Sequence, residues 1–132
     1  SQNDKKEVII KFIDEVILNE SYDISKINKF ININTDSLVS SSNTYKQLKF
    51  SIDLLRHEIG NNKFNIITYK EFENRQEEYN IVYENTNEIF FIISKDKLIT
   101  FIIISENNKI LSFYSGLIKS KSKINPFIYE KN

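Results

Sequence analysis

The chain has 132 residues, of which 40% are hydrophobic and 27% charged, the ordinary composition of a globular domain. Lysine plus arginine and aspartate plus glutamate number 18 each, so no net charge attracts the molecule to nucleic acid or acidic lipid. The absence of cysteine and the single histidine exclude disulfides, thiolate metal sites and multi-histidine metal centres. No apolar run approaches the length of a membrane-spanning helix. We therefore expect no metal, no cofactor, no nucleic-acid partner and no membrane span.

The chain contains no methionine, so Ser1 is not a translated start as it stands. Either a start methionine was trimmed or a leader was removed, which predicts a cytoplasmic protein in the first case and a periplasmic or secreted one in the second. The sequence favours neither alternative. Isoleucine, asparagine and lysine are abundant and alanine is absent, which is typical of an AT-rich genome.

Apolar residues recur at helical spacing in the first third of the chain. The clearest helix spans residues 5–19, with Asp4 as its N-cap. Its apolar stripe consists of Ile9, Phe12, Ile13, Val16 and Ile17. A second, shorter helix begins at Ser21 or Asp23 and directs Ile24, Ile27, Phe30 and Ile31 inward.

A third helix is predicted over residues 44–59, and Gly60 supplies its stop. Its main apolar side carries Tyr45, Leu48, Ile52, Leu55 and Ile59. Phe50 and Leu54 lie on the other side, so we expect both sides of this helix to be covered. The polar segment 32–43 before it is predicted to be a mobile loop, and a lid over any pocket.

From residue 64 the pattern changes to strands rich in β-branched and aromatic residues. The predicted strands are 64–72, 79–84, 88–94, 98–105 and 110–118. Several are apolar on both faces, so their second face must meet an oligomer partner or a curled sheet. We therefore expect a homodimer through the sheet face. The chain is predicted to be one α+β domain over 1–132, with helices in 5–59, strands in 64–118 and a loose tail at 119–132.

This order of elements, an amphipathic opening helix and then a curved antiparallel meander of four to five strands, resembles the cystatin-like α+β cone. Nuclear transport factor, ketosteroid isomerase and scytalone dehydratase share that cone. Residues 109–119 are similar to its closing strand. Many uncharacterised bacterial domains share the cone too, so the resemblance implies a bacterial type of protein. It also implies a pocket between the first helices and the concave sheet face, where the family's enzymes place an Asp or His as base and a Tyr or Asp as oxyanion donor. No residue here matches a catalytic motif of the family, so no catalytic role is carried over.

Asp14 is the one candidate for a catalytic base, because it flanks the apolar stripe of the first helix where a pocket would open. The alternative is a solvated acid on the helix surface, which the rarity of unpaired buried charge favours. Arg56 could reach a ligand carboxylate, or its stem could cover the rim of the core. The sole histidine, His57, is predicted to lie on the surface in the last turn of its helix.

Tyrosines are the other candidates for ligand contact, since an inward ring can line a cavity and offer its hydroxyl. The candidates are Tyr45, Tyr69, Tyr83 and Tyr114. Acidic residues are concentrated in 71–88, where six glutamates, Glu88 among them, face only Arg75.

The first functional hypothesis is a non-catalytic module that binds a small ligand or a protein partner. The second is a small isomerase or dehydratase that uses Asp14 as base and an inward tyrosine as acid. The third is an immunity-type or regulatory inhibitor. A filled interface between helices and sheet would count against the enzyme, and an open cavity containing Asp14 would favour it.

Overall fold

The computed structural model describes residues 1–34, 42–75, 80–113 and 123–129. Helices at the N-terminus precede a four-stranded antiparallel sheet, and a two-stranded parallel sheet lies beside it. The predicted α+β class with N-terminal helices on an antiparallel meander is confirmed. Most of the predicted loop 32–43, Tyr114 and most of the predicted tail lie outside the described residues.

The first helix, α1 (Gln2–Phe12), continues without a break into one turn of π-helix (Ile13–Ile17). It begins earlier than predicted because Ser1, and not Asp4, is the N-cap: the Ser1 hydroxyl accepts a hydrogen bond from the Asp4 backbone N–H at 3.3 Å. A 3-10 helix (Ile24–Lys29) follows, and Asp23 caps it. Helix α2 (Asn43–Ile59) has Ser42 as its N-cap and Gly60 as its C-cap. Gly60 has a φ of 57°, which glycine adopts easily.

The four-stranded sheet has the order β1-β3-β4-β5, and all neighbours are antiparallel. Its strands are β1 (Asn65–Thr68), β3 (Ile89–Ser94), β4 (Lys97–Ile104) and β5 (Ile110–Phe113). The tight turn between β3 and β4 places Lys95 and Asp96 at φ values of 52° and 61°. Positive φ at both central residues is typical of the turns whose twist suits a hairpin.

Two predicted strands were wrong in extent. The strand predicted over 64–72 ends at Thr68 and is followed by helix α3 (Tyr69–Glu73). The reason is a capping box: the Glu71 backbone N–H donates to the Thr68 hydroxyl, and the Thr68 backbone N–H donates to Glu71 Oε1, both at 3.1 Å.

The strand predicted over 79–84 is reduced to β2 (Asn80–Ile81) among the described residues. It pairs in parallel with β6 (Lys123–Ile124), outside the four-stranded sheet. The Val82 backbone N–H extends this pairing by donating to the Ile124 carbonyl at 2.9 Å. Residues 123 and 124 therefore lie beside residues 80–82.

The sheet buries apolar side chains on both faces, because alternate residues of β3 and β4 point to opposite sides. On the helix side, Phe90, Ile92, Ile102 and Ile104 pack with α1, the π turn and α2. On the other side, Phe91, Phe101 and Ile103 pack with Phe72 of α3 and Ile124 of β6. The outer face that suggested a homodimer is thus covered within one chain.

Candidate functional site

The four-stranded sheet separates the residues that the sequence singled out. Asp14 is exposed on the π turn, while its neighbours Ile13 and Val16 are buried in the cluster on the helix side. Tyr45 packs against that same cluster. Tyr69 and Tyr83 pack against the cluster on the opposite face. Tyr114 lies outside the described residues.

Arg56 contacts the end of the π turn. Its Nε donates to the Ile17 carbonyl at 2.6 Å, and one terminal nitrogen donates to the Asn19 carbonyl at 3.4 Å. The other terminal nitrogen lies 3.0 Å from Asp53 Oδ1. Ile17 is the last residue of the π turn, where carbonyls lack a partner inside the helix, so Arg56 caps that helix end. Asn19 lies beyond the turn, and its carbonyl also accepts from the Tyr22 N–H at 3.1 Å. Arg56 is thus engaged by the protein itself.

A cleft of about 550 Å³ lies beside this arginine, at the C-terminal end of α2. It is lined by Leu18, Glu20, Asp53, Arg56, His57, Gly60, Asn61 and Asn62. His57 is exposed, as predicted. Its described lining includes two acids, Glu20 and Asp53, and two bases, Arg56 and His57, so it favours no single sign of ligand charge.

A second cleft, of about 620 Å³, lies on the other side of the sheet and is lined by Val82, Tyr83, Glu84, Asn85 and Glu88. We call it the Tyr83 cleft. Two local backbone hydrogen bonds lie at its wall. The Tyr83 N–H donates to the Ile81 carbonyl at 3.0 Å, and the Glu88 N–H donates to the Asn85 carbonyl at 3.0 Å. The second of these bonds belongs to a 3-10 turn (Thr86–Glu88) that leads directly into β3. Residues of two tight turns therefore line the cleft.

The Tyr83 hydroxyl donates a hydrogen bond to Glu88 Oε1 at 2.5 Å. Glu88 is only 7% exposed, because the turn carries it to the start of a strand whose residues are all buried. Burial, together with the hydrogen bond to Glu88 and its negative charge, raises the pKa of Tyr83 to about 12. Tyr83 therefore stays a neutral donor at physiological pH.

Within the described ranges no hydrogen bond reaches the second oxygen of this carboxyl, Oε2, because Glu88 makes its one side-chain hydrogen bond there through Oε1. Every side-chain nitrogen or oxygen in those ranges that is closed off from solvent has a hydrogen-bond partner. Oε2 therefore keeps some contact with solvent, and since Glu88 lines the cleft, it can accept a hydrogen bond from a ligand there.

Sequence reasoning found Tyr83 but did not select Glu88. The available signal was the excess of glutamates in residues 71–88, which gave no reason to prefer one of them. Glu88 differs from the others because it directly precedes the apolar run 89–93, so a strand that begins there draws it under cover. Within the described ranges no three His, Cys, Asp or Glu side chains come together as a metal site would require.

The part of the chain that the structure describes has no helix with the length and hydropathy that a bilayer crossing demands. Comparisons with protein-family models, with curated proteins and with solved structures give no match to this chain.

Proposed function

We propose that this protein is a non-catalytic binding module that holds a small organic ligand in the Tyr83 cleft. The observation that carries this proposal is the cleft itself, a concave surface of about 620 Å³ whose lining includes Glu88 with the Tyr83 hydroxyl on its Oε1. That volume lies in the range of about 300–1,000 Å³ that is common for small-molecule sites.

The enzyme hypothesis has less support. Asp14, the base it requires, is exposed, and the buried side chains around it belong to the helix side of the sheet. Tyr83, with its hydroxyl on Glu88, packs against the opposite face. Tyr83 therefore cannot act with Asp14 on one substrate, because both must lie within hydrogen-bond reach of it. Tyr45 is on the same side of the sheet as Asp14, but the interface between helices and sheet there is occupied by buried side chains.

The cystatin-like cone remains our proposal for the type of fold, and the order of helices and strands supports it. Its usual pocket lies between the first helices and the sheet. In this chain that interface is occupied by fully buried side chains, among them Phe12, Leu48, Ile52 and Ile102. A binding site on the other face of the sheet would therefore differ in position from the usual pocket of the cone.

One feature supports a homodimer or a protein partner, and this is the exposed ring of Phe50. It is 66% exposed on the side of α2 that we expected to be covered. Single exposed apolar residues are common on monomers, so this feature weighs less than the cleft. Light scattering that gives a dimer for the wild type and a monomer for Phe50→Ser would support the homodimer. An exposed aromatic ring can also anchor a partner protein, so an immunity-type or regulatory inhibitor is the second candidate function.

A fragment screen followed by NMR tests the main proposal. We expect the backbone amides of Val82, Tyr83 and Asn85 to shift in a saturable manner with some of the fragments. Asn85→Trp, which places a bulky ring at the cleft wall, should abolish those shifts and leave the rest of the spectrum in place. Fragments that shift only residues of the cleft beside Arg56, or that bind Asn85→Trp equally well, would contradict the proposal.

A further inference from the structure

Two charged side chains are buried within the described ranges, and their surroundings differ. Lys5 is 6% exposed, and its ammonium nitrogen has the Ser105 carbonyl at 3.0 Å and Glu106 Oε2 at 3.8 Å. Glu88 is 7% exposed and has the neutral hydroxyl of Tyr83, but no cation within ion-pair distance in the described part of the chain. A buried carboxylate without a cationic partner is unfavourable, and a cationic ligand would relieve that cost.

The described residues that line the cleft carry one sign of charge. They include the carboxylates of Glu84 and Glu88, and none of them is a lysine, arginine or histidine. Low-dielectric walls strengthen the field of such charges, so a cation is attracted and an anion is repelled.

The same lining also offers apolar surface next to the carboxylate. Val82 is 46% exposed, and the ring of Tyr83 is half-buried at the cleft wall. An apolar group that packs on these two side chains brings a terminal cation within reach of Oε2. The face of a tyrosine ring attracts cations as well.

We propose that the Tyr83 cleft selects a small organic cation, an ammonium group carried on an apolar stem. The ammonium donates a hydrogen bond to Glu88 Oε2, while the Tyr83 hydroxyl occupies Oε1 and holds the carboxylate in place. The stem packs on Val82 and the Tyr83 ring. This inference rests on the proposed function, because it names the ligand class of that same site.

Three probes of nearly equal shape test the inference: phenethylammonium, phenethyl alcohol and phenylacetate, which are cationic, neutral and anionic. Each is titrated by NMR against the full chain, with the amides of Val82 and Tyr83 as reporters. We expect phenethylammonium to bind at least about tenfold more tightly than the alcohol, as a charge-assisted hydrogen bond allows. Phenylacetate should bind most weakly.

Two variants complete the experiment. Glu88→Gln keeps the shape of the side chain and removes its charge, so the preference for the cation over the alcohol should disappear. Glu7→Gln makes the same change at an exposed position of α1 and should leave that preference unchanged. Thermal unfolding of both variants establishes that they are folded.

The outcomes separate this inference from the proposed function. Equal binding of the ammonium and the alcohol, or a cation preference that survives Glu88→Gln, would overturn the inference and leave a cleft that binds small molecules. If Glu88→Gln fails to fold, the comparison of the three probes on the wild type still decides. If none of the probes shifts the cleft residues, the inference fails, and a fragment screen without hits at the cleft would remove the proposed function too.

Discussion

The ammonium group of Lys5, near the start of α1, donates a hydrogen bond to the carbonyl of Ser105, at the end of β4, at 3.0 Å. This contact joins residues that are 100 positions apart and fixes the first helix to the sheet. The lysine stem is buried along with it.

Lys5→Ala should therefore lower the free energy of unfolding by about 1–3 kcal/mol, because a hydrogen bond to a charged donor and a buried stem are both lost. The matched control is Lys11→Ala, an exposed position of the same helix, which should change stability by less than about 0.5 kcal/mol. Urea unfolding of both variants measures the difference. Equal effects would show that α1 is not attached to the sheet through Lys5.

Helix α2 has a buried side and an open side, which a pair of substitutions can test. Leu48 is fully buried, so Leu48→Ala should cost about 2–5 kcal/mol. Phe50 is mostly in solvent, so Phe50→Ala should change stability by less than about 0.5 kcal/mol, although the ring is the larger of the two side chains. A large loss with Phe50→Ala would mean that this side of α2 is covered after all.

The capping box of α3 predicts a dependence of stability on pH. The Thr68 backbone N–H that donates to Glu71 holds the pKa of that carboxyl below its ordinary 4.5, with smaller contributions from the Thr68 side chain and Lys6. Because the folded-state pKa is lowered, the stabilisation is present above pH 4.5 and is lost as the pH falls through the folded-state value.

Glu71→Gln should therefore flatten the loss of stability on acidification below pH 4.5. Glu73→Gln on the same helix takes no part in the capping box and should leave that part of the curve as in the wild type. Thermal unfolding at a series of pH values gives the comparison. Parallel curves for Glu71→Gln and the wild type would contradict the prediction.

The local pattern predicted the hairpin of β3 and β4 well, because two apolar runs flank a short polar turn at Lys95 and Asp96. It failed after Thr68, although the Thr68 to Glu71 spacing is that of a capping box. The alternation of apolar residues up to position 68 predicts a longer strand, but the capping box starts helix α3 at that point and ends the strand.

The candidate site was predictable only in part. The pairing of Asn80 with Lys123 joins distant parts of the chain, and no local pattern reports such a contact. Glu88 is placed by the 3-10 turn before β3, so its meeting with Tyr83 could not be derived from spacing alone. Asp14 looked favourable because it adjoins an apolar stripe, but a helical residue next to that stripe can equally face solvent.

The central claim is that Glu88 is a buried carboxylate held at the cleft by Tyr83, and the most direct measurement is the titration of the Tyr83 hydroxyl. NMR of ring-labelled tyrosine should give a pKa of about 12 in the wild type, and Tyr83→Phe assigns the signal, since Tyr129 also titrates at about 12. In Glu88→Gln the pKa of Tyr83 should fall toward 10.0 and remain above it, because the charge is removed and the burial stays. An ordinary pKa of 10.0 in the wild type, or no change in Glu88→Gln, would contradict the account.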